Sequence, residues 1–286
     1  MVFFQQNHRK DYSFFFDKIP SHHKKRCILK KWNPESYLKF ANERTQPSYD
    51  LASRIAVKNP AKIADLGCGP GNSTAVLKEK WPQAQIIGLD NSAEMIEKAQ
   101  KLYPHDVWVL SNVTDWKPTE EFDIIFSNAV FHWLPNHETL LKDLFAFLNP
   151  GGALAVQIPA NFDSPMHYAM ICESKMPEWN GLFENCEKEF TVHGVDFYYD
   201  QLSLLSDQVF IWETIYYHVM ASCQDLIDWH ASTGMKVFLE KLAGEEQKNR
   251  FKNRVLENIR SQYPAQQDKK ILFPFKRLFF IAYRGV

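Results

Sequence analysis

A doubly wound α/β sheet is the architecture this sequence predicts, on three features. Short apolar runs alternate with stretches of helical periodicity, a glycine-rich turn follows the first run directly, and an acidic residue closes the second. The chain has 286 residues, 45% hydrophobic and 23% charged, enough for one sizeable core with an insertion. Its formal net charge of −1 creates no global field for a nucleic acid or an anionic membrane, so a charged ligand must be recognised locally.

The elements follow in order. Residues 1–31 hold no sustained period and carry the basic run SHHKKRCILKK, so they are expected to form a disordered tail, with His22 and His23 solvated rather than ligating a metal. An ordered domain is expected over 32–286. Asn33 can cap a helix whose first turn holds Pro34, and Pro47 is expected to restart a second helix. The runs KIADLG, AQIIGLD, DVWVL, FDIIFSN and GALAVQIP then read as strands, with helices near 73–80, 92–102 and 137–148 between them. Beyond Pro159 come helical stretches near 163–180 and 198–206, the long strand VFIWETIYYHVM, a mainly helical stretch over 223–263 and the last strand ILFPFKRLFFIAY. The expected core is about 60–160 with 197–220 and 270–286, and the expected helical cap is about 32–57, 163–196 and 223–263. The charged run GEEQKNRFKNRVLENIR reads as the wet face of an amphipathic helix.

Five scattered cysteines, odd in number and without CxxC spacing, argue against a disulfide framework and against a zinc site. A reducing cytoplasm and no metal are expected, and no apolar stretch approaches the length of a membrane span.

The stretch ADLGCGPGNS places Gly67, Gly69 and Gly71 within five positions after the first strand. A dinucleotide turn has the form GxGxxG and rests a pyrophosphate on a helix N-terminus. Here the form is GxGxG with Pro70 inside it, and the Asp65 carboxylate beside the turn would repel pyrophosphate. Asp65 suits a cationic ligand instead. S-adenosylmethionine carries an α-ammonium and no phosphate, and Asp65 could bind it directly or through water. Asp90 ends the next strand 21 residues after Gly69, where a carboxylate can accept from both ribose hydroxyls. Asn112 ends the third strand, flanked by Val113 and close to Trp116, where its amide can meet an adenine edge. Cys68 reads as a small turn residue, with nothing adjacent to activate its thiol.

With these residues the sequence resembles the class I S-adenosylmethionine-dependent methyltransferases, and more narrowly the bacterial trans-aconitate 2-methyltransferase family. The likeness runs from about Trp32 to Arg284 through the blocks WNPESYLKFANERTQP, ADLGCGPGNSTAVL, WPQAQIIGLDNSAEMIEKA, LNPGGALAVQIP, YYDQL, YYHVM and FKRLFFIA. The glycine block carries only the superfamily; the flanking blocks carry the narrower likeness. The resemblance implies S-adenosylmethionine as cofactor, held by Asp65, Gly67, Cys68, Gly69, Gly71, Asp90, Asn91, Asn112, Val113 and Asn128. Many superfamily members have an acid where Asn112 stands. The segment SNAVFHW, 127–133, matches the part that faces the methyl donor, where His132 and Trp133 either wall the pocket or simply pack.

The family's reaction implies esterification of a carboxylate of a small polycarboxylic acid, trans-aconitate. A carboxylate is already ionised at neutral pH, so no catalytic acid or base is expected, only positioning and exclusion of water. Cations and hydroxyl donors must hold such an acceptor. Arg44, Lys236 and Arg277 are the expected cations, Tyr37, Tyr199 and Tyr217 the expected polar aromatics, and Tyr198 and His218 stand beside them. Two departures from the family pattern concern the acceptor: Gln46 and Lys236 stand where the family block has arginine. The family also begins near the position of Trp32, so translation from near Leu29 is expected. Alternatives are a methyltransferase for a carrier-bound dicarboxylate, which needs a basic docking patch, and a non-catalytic regulator that binds the same cofactor. A monomer or weak homodimer is expected, without nucleic-acid or membrane partners, since NPPY-like or DPPY-like segments and basic stripes are missing.

Overall fold

The computed structural model describes residues 41–286, except 180, 185, 187–189 and the side chains of 41–44. These residues lie in one compact unit. The expected tail, the Asn33 cap, Tyr37 and the Arg44 side chain fall outside what is described.

Seven strands form one sheet in the order β3-β2-β1-β4-β5-β7-β6. They are β1 (Lys62–Leu66), β2 (Gln85–Asp90), β3 (Val107–Leu110), β4 (Phe122–Asn128), β5 (Leu148–Pro159), β6 (Val209–Met220) and β7 (Ile271–Tyr283). β1 to β5 pair in parallel, while β7 runs antiparallel to both β5 and β6. The expected strands are all present; the reversed β7 was not distinguishable from its apolar pattern. Buried on both faces, β4 reads as the near-continuous apolar run FDIIF, as a central parallel strand should.

Helices cover the two faces. On one, Leu51, Ala52 and Ile55, at the end of α1 (Ala41–Arg54) and just beyond, join Val76, Leu77 and Trp81 from α2 (Asn72–Lys80) and its C-cap; they pack on Ile63, Ile86, Ile124, Phe126 and Phe279. On the other, Leu140, Leu141 and Leu144 of α4 (His137–Ala146) and Tyr198 and Leu202 of α6 (Val195–Ser203) pack on Leu66, Ile125, Leu154 and Phe280. α3 (Ala93–Leu102) starts at Ser92, whose hydroxyl accepts from the Met95 N–H. Each such buried aliphatic side chain contributes about 1.5–3 kcal/mol of transfer free energy.

A separate apolar core builds the cap. It joins α5 (Pro165–Ser174), α7 (Cys223–Ala231), the short α8 (Lys236–Leu239) and α9 (Gly244–Ile259) around Met170, Trp179, Phe183, Phe238 and Phe251, and it continues onto Phe273 and Phe275 of β7. The insertion read before the last strand is therefore a packed helical body seated on the end of β7.

Pro47 does not restart a helix. It lies inside α1, which continues through it to Arg54. The missing N–H costs one ladder bond. The burial of Leu51 and Ala52, one and two residues into the next turn, holds the segment helical regardless. This helix packs with the sheet layer, whereas the sequence pattern grouped it with the cap.

Candidate active site

The glycine turn leaves β1 where the connections diverge, β2 lying on one side and β4 on the other, the place where open α/β sheets bind ligands. Gly67, Gly69 and Gly71 all have left-handed backbone, with φ of 71°, 55° and 98°. A methyl group on Gly67 would stand 2.1 Å from a Val130 side-chain carbon, and one on Gly71 2.8 Å from the Tyr103 ring. At Gly69 it would meet nothing within 4 Å. The chain's own side chains thus forbid a Cβ at two glycines, and only the third faces open space.

The turn has spent its donors. The Gly67 and Cys68 N–H groups both donate to the Leu89 carbonyl, at 2.6 and 3.0 Å, and Gly71 N–H donates to the Cys68 carbonyl. Gly69 N–H donates to Asp90 Oδ2 at 3.0 Å, and Pro70 has no N–H. A phosphate cradle needs free N–H groups; this turn presents none and stands between two carboxylates. Asp65 is fully buried, its Oδ2 accepting from Ser73 Oγ at 2.7 Å and Thr74 Oγ1 at 2.6 Å, while Oδ1 is buried without a hydrogen-bond partner. Burial pushes the Asp65 carboxyl up to about 6, against the two hydroxyl hydrogen bonds. An ammonium near Oδ1 would satisfy the orphaned acceptor, so the residues fit the methionine end of S-adenosylmethionine.

Asp90 Oδ1 accepts from Ser92 N–H at 2.8 Å, and each of its oxygens keeps a second lone pair for a ribose hydroxyl. Burial raises its carboxyl above the ordinary value. Asn91 Nδ2 donates to Asn112 Oδ1 at 3.3 Å, and Asn112 Nδ2 donates to Asp115 Oδ2 at 2.9 Å. Asn112 is thereby held by neighbours on both sides, with one acceptor lone pair left for an adenine amino group. Val113 is buried and opens a single 3-10 turn beside it. The Cys68 thiol donates to the Gly69 carbonyl, and burial pushes its pKa up, which removes it as a nucleophile.

At the end of β4 the chain turns sharply. Ala129 is a non-glycine residue at φ 59°, a strained conformation whose N–H donates to the Gln157 carbonyl. The 3-10 turn Phe131–Trp133 follows. His137 fixes that turn from behind. Its Nε2 lies 2.8 Å from the Phe131 carbonyl and must donate there, so Nδ1 accepts from Tyr198 Oη, also at 2.8 Å.

A cavity of about 130 Å³ opens here, lined by Asn128, Ala129, His132, Trp133, Phe162, His167, Phe190, Trp229, His230 and Arg277 among others. His132 stacks on Phe190 with ring centroids 6.2 Å apart, and Trp133 lies 4.8 Å from the same ring. Burial first, then the Arg277 charge, depress the His132 imidazole to about 3, so it is neutral at physiological pH. Arg277 is 3% exposed, its guanidinium 4.4 Å from the Phe275 ring centroid, with Nη1 donating to Gln157 Oε1 at 3.2 Å.

Of the expected acceptor residues, the structure brings His132, Trp133 and Arg277 together around this cavity with Asn128, a residue expected at the cofactor. It does not bring Tyr199 or Tyr217, which are 54% and 63% exposed, outside the cavity lining. Tyr217 alternates on β6 to the opposite face from Tyr216, whose hydroxyl bonds Asp50. Lys236 is buried in the cap within 3.6 Å of Glu240 and does not line the cavity. Tyr198 is spent on His137, and His218 packs 5.1 Å from the Trp229 ring. Sequence reasoning missed Gln157, Phe162, His167, Phe190, Trp229 and His230. Only Gln157 left a signal, a polar residue inside the apolar strand ALAVQIP.

Residues 63–152 match the methyltransferase domain family. Two solved structures share the fold: the YcgJ protein from Bacillus subtilis, at TM-score 0.53 and 14% identity over 84% of this chain and 99% of that one, and a putative methyltransferase from Bacillus halodurans C-125, at 0.54 and 12% over 86% and 100%. Sheet order, spent glycine turn and paired carboxylates define a class I methyltransferase. Trans-aconitate 2-methyltransferases from Azoarcus sp. strain BH72 and Escherichia coli strain 55989 are 40% and 41% identical to this chain, over 88% and 90% of it and 99% of each relative. The chain belongs to the trans-aconitate 2-methyltransferase family.

Proposed function

We propose that this enzyme transfers the methyl group of S-adenosylmethionine to a carboxylate oxygen of trans-aconitate, forming a methyl ester. The observation that carries the acceptor class is Arg277: a permanently charged guanidinium, almost fully buried, in a cavity that begins at the β4 segment 128–133. Asp65, Asp90, Asn91, Asn112 and Val113 would hold the cofactor, with Gly67, Cys68, Gly69 and Gly71 shaping the turn and Asn128 facing its reactive end. The bound cofactor supplies an electrophilic methyl on a sulfonium.

The chain's own part is positional. Arg277 binds a carboxylate, and Trp133, Phe162 and Phe190 exclude water. His132, held neutral, withholds a second positive charge from the acceptor oxygen. No proton leaves the nucleophile, so no residue serves as base. Holding oxygen, carbon and sulfur in line contributes about 7–11 kcal/mol. Among the described residues no helix is long and apolar enough to cross a membrane; a small polyanionic acceptor, a cytoplasmic location and a monomer or weak homodimer complete the proposal.

The test is S-adenosylhomocysteine release with trans-aconitate, cis-aconitate, isocitrate, citrate and monocarboxylic acids. Turnover on trans-aconitate well above the rest is the expected result; turnover confined to other acids would overturn the acceptor, and cofactor binding without turnover would overturn the activity.

A further inference from the structure

β2 carries a glycine that its backbone does not require. Gly88 lies inside the strand without the left-handed conformation of the turn glycines, and a glycine there weakens a strand unless something must approach it closely. A Cβ on Gly88 would stand 2.4 Å from Trp108 Cζ3, 2.5 Å from Trp108 Cε3 and 3.1 Å from Cys68 Sγ. The Trp108 indole occupies the place of the missing side chain. Gly88 pairs in register with Asp65 of β1 on one side and Trp108 of β3 on the other, and residues in register on parallel strands point to one face. From that row the ring reaches the glycine turn: a Cβ on Gly71 would stand 3.0 Å from Trp108 Cη2 and 2.8 Å from Tyr103 Cδ2. The indole is itself anchored. Its Nε1 donates to the Tyr103 carbonyl at 3.0 Å, and the two rings lie 6.3 Å apart. Tyr103 is the C-cap of α3, its N–H donating to the Ala99 carbonyl.

We propose that Trp108 is a positioning residue for the cofactor: wedged into the place of a Gly88 side chain and anchored on Tyr103, its indole braces the glycine turn at Gly71 and thereby sets where Asp65 meets the ligand. The inference rests on the reading that S-adenosylmethionine lies at this turn. On the β2 side the turn is held by hydrogen bonds, from Gly67 and Cys68 N–H to the Leu89 carbonyl and from Gly69 N–H to Asp90. At the other end, the Gly71 N–H bonds only back into the turn, to the Cys68 carbonyl, and the two rings stand against it. Gly71 leads directly into α2, whose first turn carries Ser73 and Thr74, the two hydroxyls bonded to Asp65 Oδ2. A rigid aromatic wall at Gly71 therefore fixes the groups that orient the Asp65 carboxylate. Without that wall, Gly71 and the start of α2 can relax into the space the indole leaves.

Calorimetric titration with S-adenosylhomocysteine tests this in Trp108→Ala, Trp108→Phe, Gly88→Ala and the double variant Trp108→Ala/Gly88→Ala, with melting temperatures measured alongside and Asp90→Asn as control. In Trp108→Ala, Kd should rise about tenfold or more, while KM for the methyl acceptor at saturating cofactor changes much less. Trp108→Phe, which keeps a ring and loses only the Nε1 bond, should recover most of the affinity. Gly88→Ala drives a methyl group into the indole and should weaken binding in the same way; in the Trp108→Ala background that methyl meets no ring and should cost little further affinity. A residue that only packs would lower the melting temperature in these variants and leave Kd, measured well below melting, where it was. Unchanged Kd in Trp108→Ala, with binding weakened in Asp90→Asn, would overturn the role of Trp108 alone. Unchanged Kd in both would overturn the placing of the cofactor at this turn, and the inference with it. If Trp108→Ala does not fold, Gly88→Ala decides, because it removes no contact: an unaltered Kd in that variant contradicts the role.

Discussion

At the residue scale, the three glycines of one turn are there for different reasons, and they separate by experiment. Gly67 combines left-handed backbone with a Val130 side chain that a Cβ would strike, whereas Gly69 has the backbone requirement and open space. Gly69→Ala should cost about 1–2 kcal/mol of stability from backbone strain alone. Gly67→Ala should cost more, because Val130 must also move; urea unfolding of both variants checks the order, and equal losses would contradict it. Asp65 yields a pH prediction. Burial raises its carboxyl from 3.8 to about 6, so the folded protein prefers the protonated form. The stability it contributes is complete below pH 3.8 and is lost as pH rises through about 6. Asp65→Asn removes that loss, so the stability difference between variant and wild type should shift in the variant's favour by on the order of 2–3 kcal/mol from pH 4 to pH 7. Unfolding measured at both pH values reads it directly. For the intact site the consequence is opposite in sense: an ammonium ligand needs ionised Asp65, so cofactor affinity should weaken below about pH 6.

At the element scale, position in the site depends on how turns are braced rather than on which residues they contain. The 3-10 turn with His132 and Trp133 is held by the chain of bonds from Tyr198 through His137 to the Phe131 carbonyl. Tyr198→Phe leaves His137 Nδ1 unpaired in an apolar setting and should cost about 1–3 kcal/mol, with a larger loss of kcat than of cofactor affinity; a purely global destabilisation would leave kcat intact below the melting temperature. The same bracing explains what was legible in the sequence. Strands showed as apolar runs, and the residues expected at the cofactor read as a local motif, since Asp65, the glycines and Asp90 are positioned by one strand-turn-helix unit and the strand beside it. The cavity proposed for the acceptor is assembled from β4, β5, β7, α5 and α7, far apart in the chain, and many of its walls are ordinary apolar or aromatic residues. Phe190 and Trp229 carry no signal that distinguishes a cavity wall from a core. Tyr217 was expected at the acceptor, yet the pleat of β6 turns it to solvent and its neighbour Tyr216 to the other face. Pro47 misled because burial farther along α1 overrides the local preference of proline.

For the whole molecule, the sheet and the cap divide the work. The sheet end carries the buried carboxylates proposed to hold the cofactor, and the cap is built on its own apolar core and seated on Phe273 and Phe275, beside the cavity proposed for the acceptor. The reaction moves a methyl group from a cationic sulfonium to an anionic oxygen, forming the oxygen–carbon bond as the sulfur–carbon bond breaks, and leaves a neutral ester and thioether, so water stabilises the reactants more than the transition state. Exclusion of water is then a catalytic contribution of the architecture, and Phe190 is where it is concentrated. Its ring lies 4.8 Å from Trp133, 5.4 Å from Phe162 and 6.2 Å from His132, joining the β4 turn to the cap. Phe190→Ala should open that wall, lowering kcat on the order of 10- to 100-fold while cofactor Kd stays near wild type, because no glycine-turn or carboxylate contact changes. Phe190→Leu, which refills most of the volume, should recover most of the rate. Single-turnover kinetics separate the chemical step from product release and so read the effect where it belongs; a Phe190→Ala enzyme with an unaltered chemical step would show that the ring only packs.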